Sequence, residues 1–333
     1  MSRLPFFSRV APLGPGVLLA GLLAIAAWFV AAQYGAPAML LALLFGLALN
    51  FLGEEGARAA PGLAFAGRHV LRLGVALLGL RITTDMVAGL GAGTLALVVG
   101  GVLATLGFGM LVARITGMRQ RFAVLSAGAV AICGASAAMA IAAALPQEGR
   151  HRQELAFTVV GVTLLSTVAM VLYPVLARAL HFDDHTAGVY LGATIHDVAQ
   201  VVGAGFSISP EAGETATLVK LIRVAMLAPV VLVVAAVTRR RAEAGAARPP
   251  ILPGFVLAFV ALAALNSSGI VPAGVSDLAG ALSRGCLLMA IAAVGMTTSL
   301  RDVARIGPAA MGMLLAETLF LAAFVAVGLS LLG

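Results

Sequence analysis

The chain has 333 residues, of which 61% are hydrophobic and 11% are charged, with a mean hydropathy of +1.08. This composition excludes an ordinary soluble globular domain and indicates an integral membrane protein. The formal net charge of +7 does not indicate nucleic-acid binding, because the arginines lie in short loops between apolar segments, where they set topology. Cys133 and Cys286 lie in apolar runs and predict neither a disulfide framework nor a metal cluster.

Apolar segments in chain order predict eleven transmembrane helices. Their expected bounds are 16–32, 36–52, 66–82, 91–113, 122–145, 154–180, 186–206, 213–238, 251–267, 279–299 and 307–332. Runs this long and this uniformly apolar do not fit the alternating strands of a membrane barrel. We therefore predict an all-α polytopic membrane protein in which residues 1–333 form a single integral membrane domain.

The distribution of arginines predicts the orientation of these helices. With the N-terminus on the cytoplasmic side, the inner loops contain fourteen arginines and the outer loops about four. We therefore expect a cytoplasmic N-terminus and, because the number of spans is odd, a C-terminus on the opposite side of the membrane.

An internal repeat relates residues of about 36–113 to residues of about 251–332. A shift of 216 positions aligns Pro37 with Pro253, Asn50 with Asn266 and Gly79 with Gly295, among about sixteen identities. Equivalent spans of the two copies are offset by seven, an odd number, so the second copy has the opposite membrane orientation. Inverted repeats of this kind are typical of secondary transporters.

The first polar interruption is Cys133-Gly134-Ala135-Ser136, within the run 122–145. An unwound turn at these small residues would free backbone N–H groups, and the helix that follows would attract an anion through its N-terminus. These four residues are therefore candidate substrate contacts. A close-packed face of small residues explains the same sequence equally well.

The second interruption is the stretch from Gly192 to Gln200, which contains Thr194, His196 and Asp197. A charged group at membrane depth costs about 3 kcal/mol or more, so it survives where it faces protein or water. We assign His196 and Asp197 to proton or ion coupling, and Thr194 and Gln200 to substrate binding. The two ionisable side chains can pair only if the helix is broken. The alternative is a hydrogen-bonded network that is purely structural.

Three further ionisable residues lie within predicted spans. Lys220 and Arg223 are about one helical turn apart, and as cavity-facing cations they would complement an anionic substrate. The alternative is that both side chains snorkel toward the outer interface. Glu317 lies in the last span and has no obvious partner in the sequence.

Signatures of enzymes are absent from the sequence. The chain has no Walker A motif, no zinc-ligand spacing, no Gly-x-Ser-x-Gly and no His-Glu-x-x-His. We therefore predict no catalytic residues, no metal site and no cofactor beyond coupling to H⁺ or Na⁺.

Three motifs resemble the YeiH-type family of bacterial inner-membrane proteins. They are Leu73 to Arg81, Ala131 to Ala137 and Gly192 to Val201, and Lys220-Leu221-Ile222-Arg223 also fits the family's pattern. The resemblance covers nearly the whole chain. It implies location in the bacterial inner membrane with a periplasmic C-terminus, an inverted-repeat fold with panel and core subdomains, and discontinuous helices that cross.

The resemblance also implies a function, because the family is described as sulfate exporters. We expect a secondary transporter that exports a small anion such as sulfate, sulfite or a sulfonate, with the lipid bilayer and that anion as its partners and a homodimer as an open alternative. A second hypothesis is an exchanger similar to sodium/proton antiporters, with Asp197 as the exchanging carboxylate. A third is a membrane sensor that transports nothing.

Overall fold

The computed structural model describes residues 11–34, 36–54, 56–145, 151–239, 254–298 and 308–332. These residues are almost entirely helical, and they contain no β-strand. In chain order the helices are α1 (Gly14–Tyr34), α2 (Ala38–Ala48), α3 (Ala60–Arg81), α4 (Thr84–Gly89), α5 (Gly91–Thr116), α6 (Gln120–Ala131), α7 (Ala135–Ala144), α8 (His151–Ala179), α9 (Asp184–Thr194), α10 (Val198–Ile208), α11 (Pro210–Ala225), α12 (Leu227–Arg239), α13 (Gly254–Ser267), α14 (Ala273–Thr297) and α15 (Pro308–Leu332). The predicted all-α class is confirmed.

Seven segments in the described ranges are long and apolar enough to cross a membrane. They are α1, α3, α5, α8, the segment formed by α11 and α12, α14 and α15. The other four predicted spans coincide with helices that are short or broken, namely α2, α6 with α7, α9 with α10, and α13. A straight span needs about 20 apolar residues, so the count of eleven stays a prediction.

Half of the fourteen arginines on which the predicted orientation depends lie outside the described residues. Arg3, Arg9, Arg301 and Arg305 lie outside the described residues, as does most of the basic stretch 239–250. Residues 299–307 of the second repeat copy also lie outside the described residues. The assignment of the N-terminus to the cytoplasmic side therefore stays a prediction.

The described residues group into two compact units. The first unit takes its residues from 1–86, 202–214 and 254–299, and the second from 87–201, 215–253 and 300–333. The first unit contains α2 and α3 together with α13 and α14, and the second contains α5 together with α15. Each unit thus takes equivalent helices from both copies of the predicted repeat.

Contacts in the first unit recur at the spacing of the repeat. A Cβ atom built at Gly79 would meet the carbonyl oxygen of Phe259, and one built at Gly295 would lie 2.6 Å from that of Leu43. Leu43 and Phe259 are 216 positions apart, as are Gly79 and Gly295. Helix α3 therefore approaches α13 as α14 approaches α2. This reciprocity supports the predicted repeat, in which glycine allows the backbones to touch.

In the second unit, α5 and α15 pack in opposite directions. Gly93 near the start of α5 lies against Leu332, Gly101 lies against Phe324, and Gly109 near the end lies against Glu317. Opposite directions are what an inverted repeat requires of its equivalent helices. Helices α6, α8 and α9 also pack against α15, which makes α15 the centre of this unit.

The close approach at Gly295 predicts a position-specific effect of added volume. Gly295→Ala introduces a methyl group against backbone atoms that cannot rotate away, and overpacking of this kind costs about 1–3 kcal/mol. Gly285→Ala on the same helix meets nothing within 4 Å and should change stability by about 1 kcal/mol or less. Thermal unfolding in detergent measures both, and equal midpoints for the two variants would contradict the packing described above.

Candidate functional site

Both predicted interruptions are breaks in the helices of the second unit. Helix α6 ends at Ala131 and α7 begins at Ala135, and between them Gly134 has a φ of +61° and a ψ of −130°. A residue with a Cβ atom is strained in that conformation, which explains the glycine. Helix α9 ends at Thr194 and α10 begins at Val198. Each break presents the carbonyl end of one helix and the N–H end of the next.

Arg223 donates hydrogen bonds to backbone carbonyl groups at the C-terminal ends of both α6 and α9. Its guanidinium group makes five hydrogen bonds: to Val130, twice to Ala131, to Gly192 and to Ile195, over distances of 2.6–3.0 Å. All five acceptors are backbone carbonyl oxygens. A guanidinium group has five N–H donors, so this network uses its full capacity.

Lys220 lies one turn before Arg223 and joins the two breaks directly. Its Nζ atom donates to the carbonyl of Ile132 at 2.8 Å and to that of Ile195 at 2.9 Å. Both cations are buried, with 0% of Lys220 and 1% of Arg223 exposed. The alternative that they snorkel to the interface is therefore wrong. Cations are favourable at these positions because helix C-termini carry partial negative charge.

Asp197 occupies the N–H end of α7. The backbone N–H of Ala135 donates to its Oδ1 atom at 3.3 Å, and a Cβ atom at Gly134 would overlap this carboxylate. The backbone N–H of Asp197 in turn donates to the Oγ atom of Ser166 at 3.0 Å. Asp197 is half-buried. The helix N-terminus predicted to attract an anion thus already holds the protein's own carboxylate.

His196 is fully buried, and both its ring nitrogens have protein partners. Its Nδ1 atom lies 3.1 Å from the carbonyl oxygen of Val130, and its Nε2 atom lies 3.0 Å from the hydroxyl of Thr318. A carbonyl only accepts, so Nδ1 carries a proton. The Thr318 hydroxyl either donates to Nε2 of a neutral ring or accepts from Nε2–H of a charged one. The helix is broken, but His196 and Asp197 do not bond to each other. His196 contacts Val130 and Thr318, and Asp197 accepts from Ala135.

The remaining predicted contacts lie at the two breaks with different exposures. Cys133 and Gly134 are buried, Ala135 is half-buried and Ser136 is exposed. Thr194 donates to the carbonyl of Tyr190 in its own helix at 2.6 Å. Gln200 donates to Thr167 at 3.4 Å, and its Oε1 atom has no partner among the described residues. Their role in substrate binding stays a prediction. The described residues contain no cluster suited to a metal ion.

Sequence reasoning missed the residues that complete this network. Ser166 and Thr318 are isolated hydroxyls in apolar helices, a pattern that also fits ordinary helix packing. The carbonyl acceptors of Val130, Ala131 and Ile195 leave no trace in a sequence, because every residue has one. The sequence offered two signals of this network: the two polar interruptions, and the pair of cations one turn apart within an apolar span.

Comparisons with known proteins cover both breaks and both cations. The family model described as Conserved hypothetical protein 698 matches residues 15–316. The chain is 61% identical to UPF0324 membrane protein TauZ of Paracoccus denitrificans, over 96% of this chain and 95% of that protein. It is 55% identical to UPF0324 membrane protein RB0971 of Rhizobium meliloti strain 1021, over 96% and 93% of the two chains. It is 47% identical to UPF0324 membrane protein CT0845 of Chlorobaculum tepidum, over 93% and 87%.

The guanidinium network predicts a large loss of stability for Arg223→Met. That variant leaves buried carbonyls without donors, and removing one partner of a buried charged network costs about 3–5 kcal/mol. Arg223→Lys keeps the charge but has fewer donors, so its unfolding midpoint should fall between those of the wild type and Arg223→Met. Arg178→Met is the control, because Arg178 is an exposed residue in the last turn of α8, where effects of about 0.5 kcal/mol are usual. Thermal unfolding in detergent separates them, and an Arg223→Met midpoint equal to that of Arg178→Met would refute this role.

Proposed function

This chain belongs to the Conserved hypothetical protein 698 family, whose members compared above are UPF0324 membrane proteins, and we propose that it is a secondary transporter of a small anion. Sulfate, sulfite and sulfonates are the candidate substrates, and export is the candidate direction, through the family resemblance found in the sequence. The observation that carries the proposal is the pair of helix breaks joined by buried Lys220 and Arg223.

Broken helices at membrane depth favour transport over a purely structural role. Non-helical backbone in the hydrocarbon region is tolerated where it is buried in protein or lines a water-filled cavity. Transporters use such breaks to place helix termini and carbonyl groups around a substrate or ion. In this chain both breaks lie in the same unit, and one lysine and one arginine contact both of them.

The balance of charge at the breaks favours an anion. Lys220 and Arg223 contribute two formal positive charges, and Asp197 contributes one negative charge. Most N–H donors of Lys220 and Arg223 are already bonded to backbone carbonyl groups. We therefore assign the two cations an electrostatic effect on the substrate rather than direct hydrogen bonds to it. The N-terminus of α7, with half-buried Ala135 and exposed Ser136, supplies the backbone donors that suit an anion.

Occupation of that N-terminus by Asp197 provides a mechanism for coupling. An ionised Asp197 competes with the substrate anion for the N–H groups of α7. When the carboxylate binds a proton, it loses its charge and its advantage as the acceptor, and the anion takes its place. Proton and anion then occupy the site together and cross in the same direction, so export proceeds when the combined gradient of anion and proton is directed outward.

One observation favours the second candidate, an exchanger similar to sodium/proton antiporters. Asp197 is half-buried, whereas Lys220 and Arg223 are fully buried. A sodium ion or a proton could therefore reach the carboxylate and compete with these two internal cations for it. In that case the carboxylate binds the transported cation and no anion is required. The two candidates predict different fluxes in the same preparation.

Proteoliposomes containing the full chain distinguish the candidates. We expect labelled sulfate, sulfite or taurine to move faster when a pH gradient is imposed, and we expect no such flux in protein-free vesicles. A sodium gradient alone should leave the internal pH unchanged. If no anion moves and sodium collapses a pH gradient, the anion proposal fails and the exchanger replaces it.

Asp197→Asn tests the coupling mechanism. The variant keeps the shape of the side chain but cannot exchange a proton, so anion flux should persist while its acceleration by a pH gradient is strongly reduced. Asp183→Asn is a matched control, because Asp183 is an exposed aspartate that caps α9 by accepting from the N–H of Thr186 at 2.8 Å. Asparagine caps a helix about as well as aspartate, so this control should change neither the stability nor the coupling appreciably. Wild-type coupling in Asp197→Asn would exclude this carboxylate as the coupling group.

A further inference from the structure

Glu317 is a buried acid that the proposed mechanism does not use. It lies nine residues after Pro308 on α15, which places it about 13 Å from the start of that 25-residue helix. The residue is 0% exposed. Its Oε1 atom accepts a hydrogen bond from the Ser126 hydroxyl at 2.8 Å, and its Oε2 atom has no partner among the described residues.

The surroundings of Glu317 offer no compensating charge at contact distance among the described residues. On α5, Gly109 lies against the carboxyl group, and a Cβ atom built at Gly109 would lie 2.5 Å from Oε1. The helices packed against α15 are α5, α6, α8 and α9. Among described residues their titratable or charged side chains are Arg114, Arg121, Glu154, Tyr173, Arg178, Asp184, His185 and Tyr190, and His196 follows α9. The described side chain that bonds to Glu317 is the neutral Ser126.

We propose that Glu317 is held as a neutral carboxylic acid within the membrane and is a second proton-binding site of this protein. An ionised carboxylate that is buried with one hydrogen bond and one bare oxygen loses far more hydration than it regains. The neutral acid avoids most of that loss. Gly109 brings α5 so close to Oε1 that water has no room on that side.

The position of Glu317 connects this proton to the helix breaks. Thr318, the next residue, contacts Nε2 of His196, and Nδ1 of His196 contacts the same Val130 carbonyl that accepts from Arg223. Ser126, the partner of Glu317, precedes Val130 by one turn of α6. Charging Glu317 would therefore change the contacts of α15 with both α6 and the break after α9.

The coupling role of this site rests on the proposed transport function. The step is the dissociation of one proton from the Glu317 carboxylic acid, which leaves a carboxylate and passes the proton to water, and the reverse step restores the acid. No oxidant, reductant or further reactant is needed. Release of this proton adds one negative charge to the unit that holds Lys220 and Arg223, and so weakens its attraction for an anion.

Infrared spectroscopy of the full chain in detergent tests the protonation state directly. At neutral pH we expect the difference spectrum between wild type and Glu317→Gln to show loss of a carboxylic-acid C=O stretching band. Ser126→Ala should shift the same band, because it removes the hydrogen bond to Oε1. Glu211→Gln is the control, since Glu211 is exposed on α11 and its removal should reduce only carboxylate absorption.

The infrared and the flux measurements can each overturn the inference. If Glu317→Gln removes carboxylate bands instead, or if Ser126→Ala shifts no acid band, Glu317 is not a neutral acid. If the acid band is present but the ratio of sulfate flux with and without a pH gradient is the same in Glu317→Gln as in wild type, the coupling role is refuted. A wild type that moves no anion refutes the proposed function instead, because the infrared result does not depend on transport.

Discussion

The structure of the second unit depends on how two buried helix ends are satisfied. Where α6 and α9 stop, their last carbonyl groups have no partner in their own helix, and the residues that carry them are buried, so other protein groups must supply the donors. Lys220 and Arg223 supply the donors from α11. Because seven hydrogen bonds run from two side chains to both breaks, the geometry of each break is tied to the other.

The other polar groups follow from this arrangement. Two buried positive charges favour negative charge nearby, and Asp197 provides it at the N-terminus of α7, where the helix dipole also favours a carboxylate. If Glu317 holds its proton, the cluster keeps an excess of one positive charge, which suits an anionic substrate. The cations thus hold the two breaks together and also supply positive charge, and we propose that protonation of Asp197 changes the state of the site.

The breaks were predictable from the sequence because a continuous lipid-facing helix does not tolerate polar and ionisable residues at its centre. Gly134 and the stretch around His196 were correctly placed, and the 216-residue shift anticipated the reciprocal contacts of Gly79 and Gly295. The lengths of the helices were less predictable, since an apolar run shows neither where a helix unwinds nor where it stops short of the bilayer thickness. The position of Asp197 at Ala135, 62 residues away, depends on tertiary packing, which no local pattern records.

We propose that Asp197 and the substrate anion compete for the same helix N-terminus, that of α7. Calorimetric titration of sulfate into the detergent-solubilised full chain at several pH values tests it without requiring transport. For the wild type we expect the affinity to weaken by up to about tenfold per pH unit once the Asp197 carboxylate ionises, as linkage to one proton requires. For Asp197→Asn we expect little dependence on pH over the range in which Glu317 keeps its proton. Equal pH dependence in the two proteins would contradict the proposed competition.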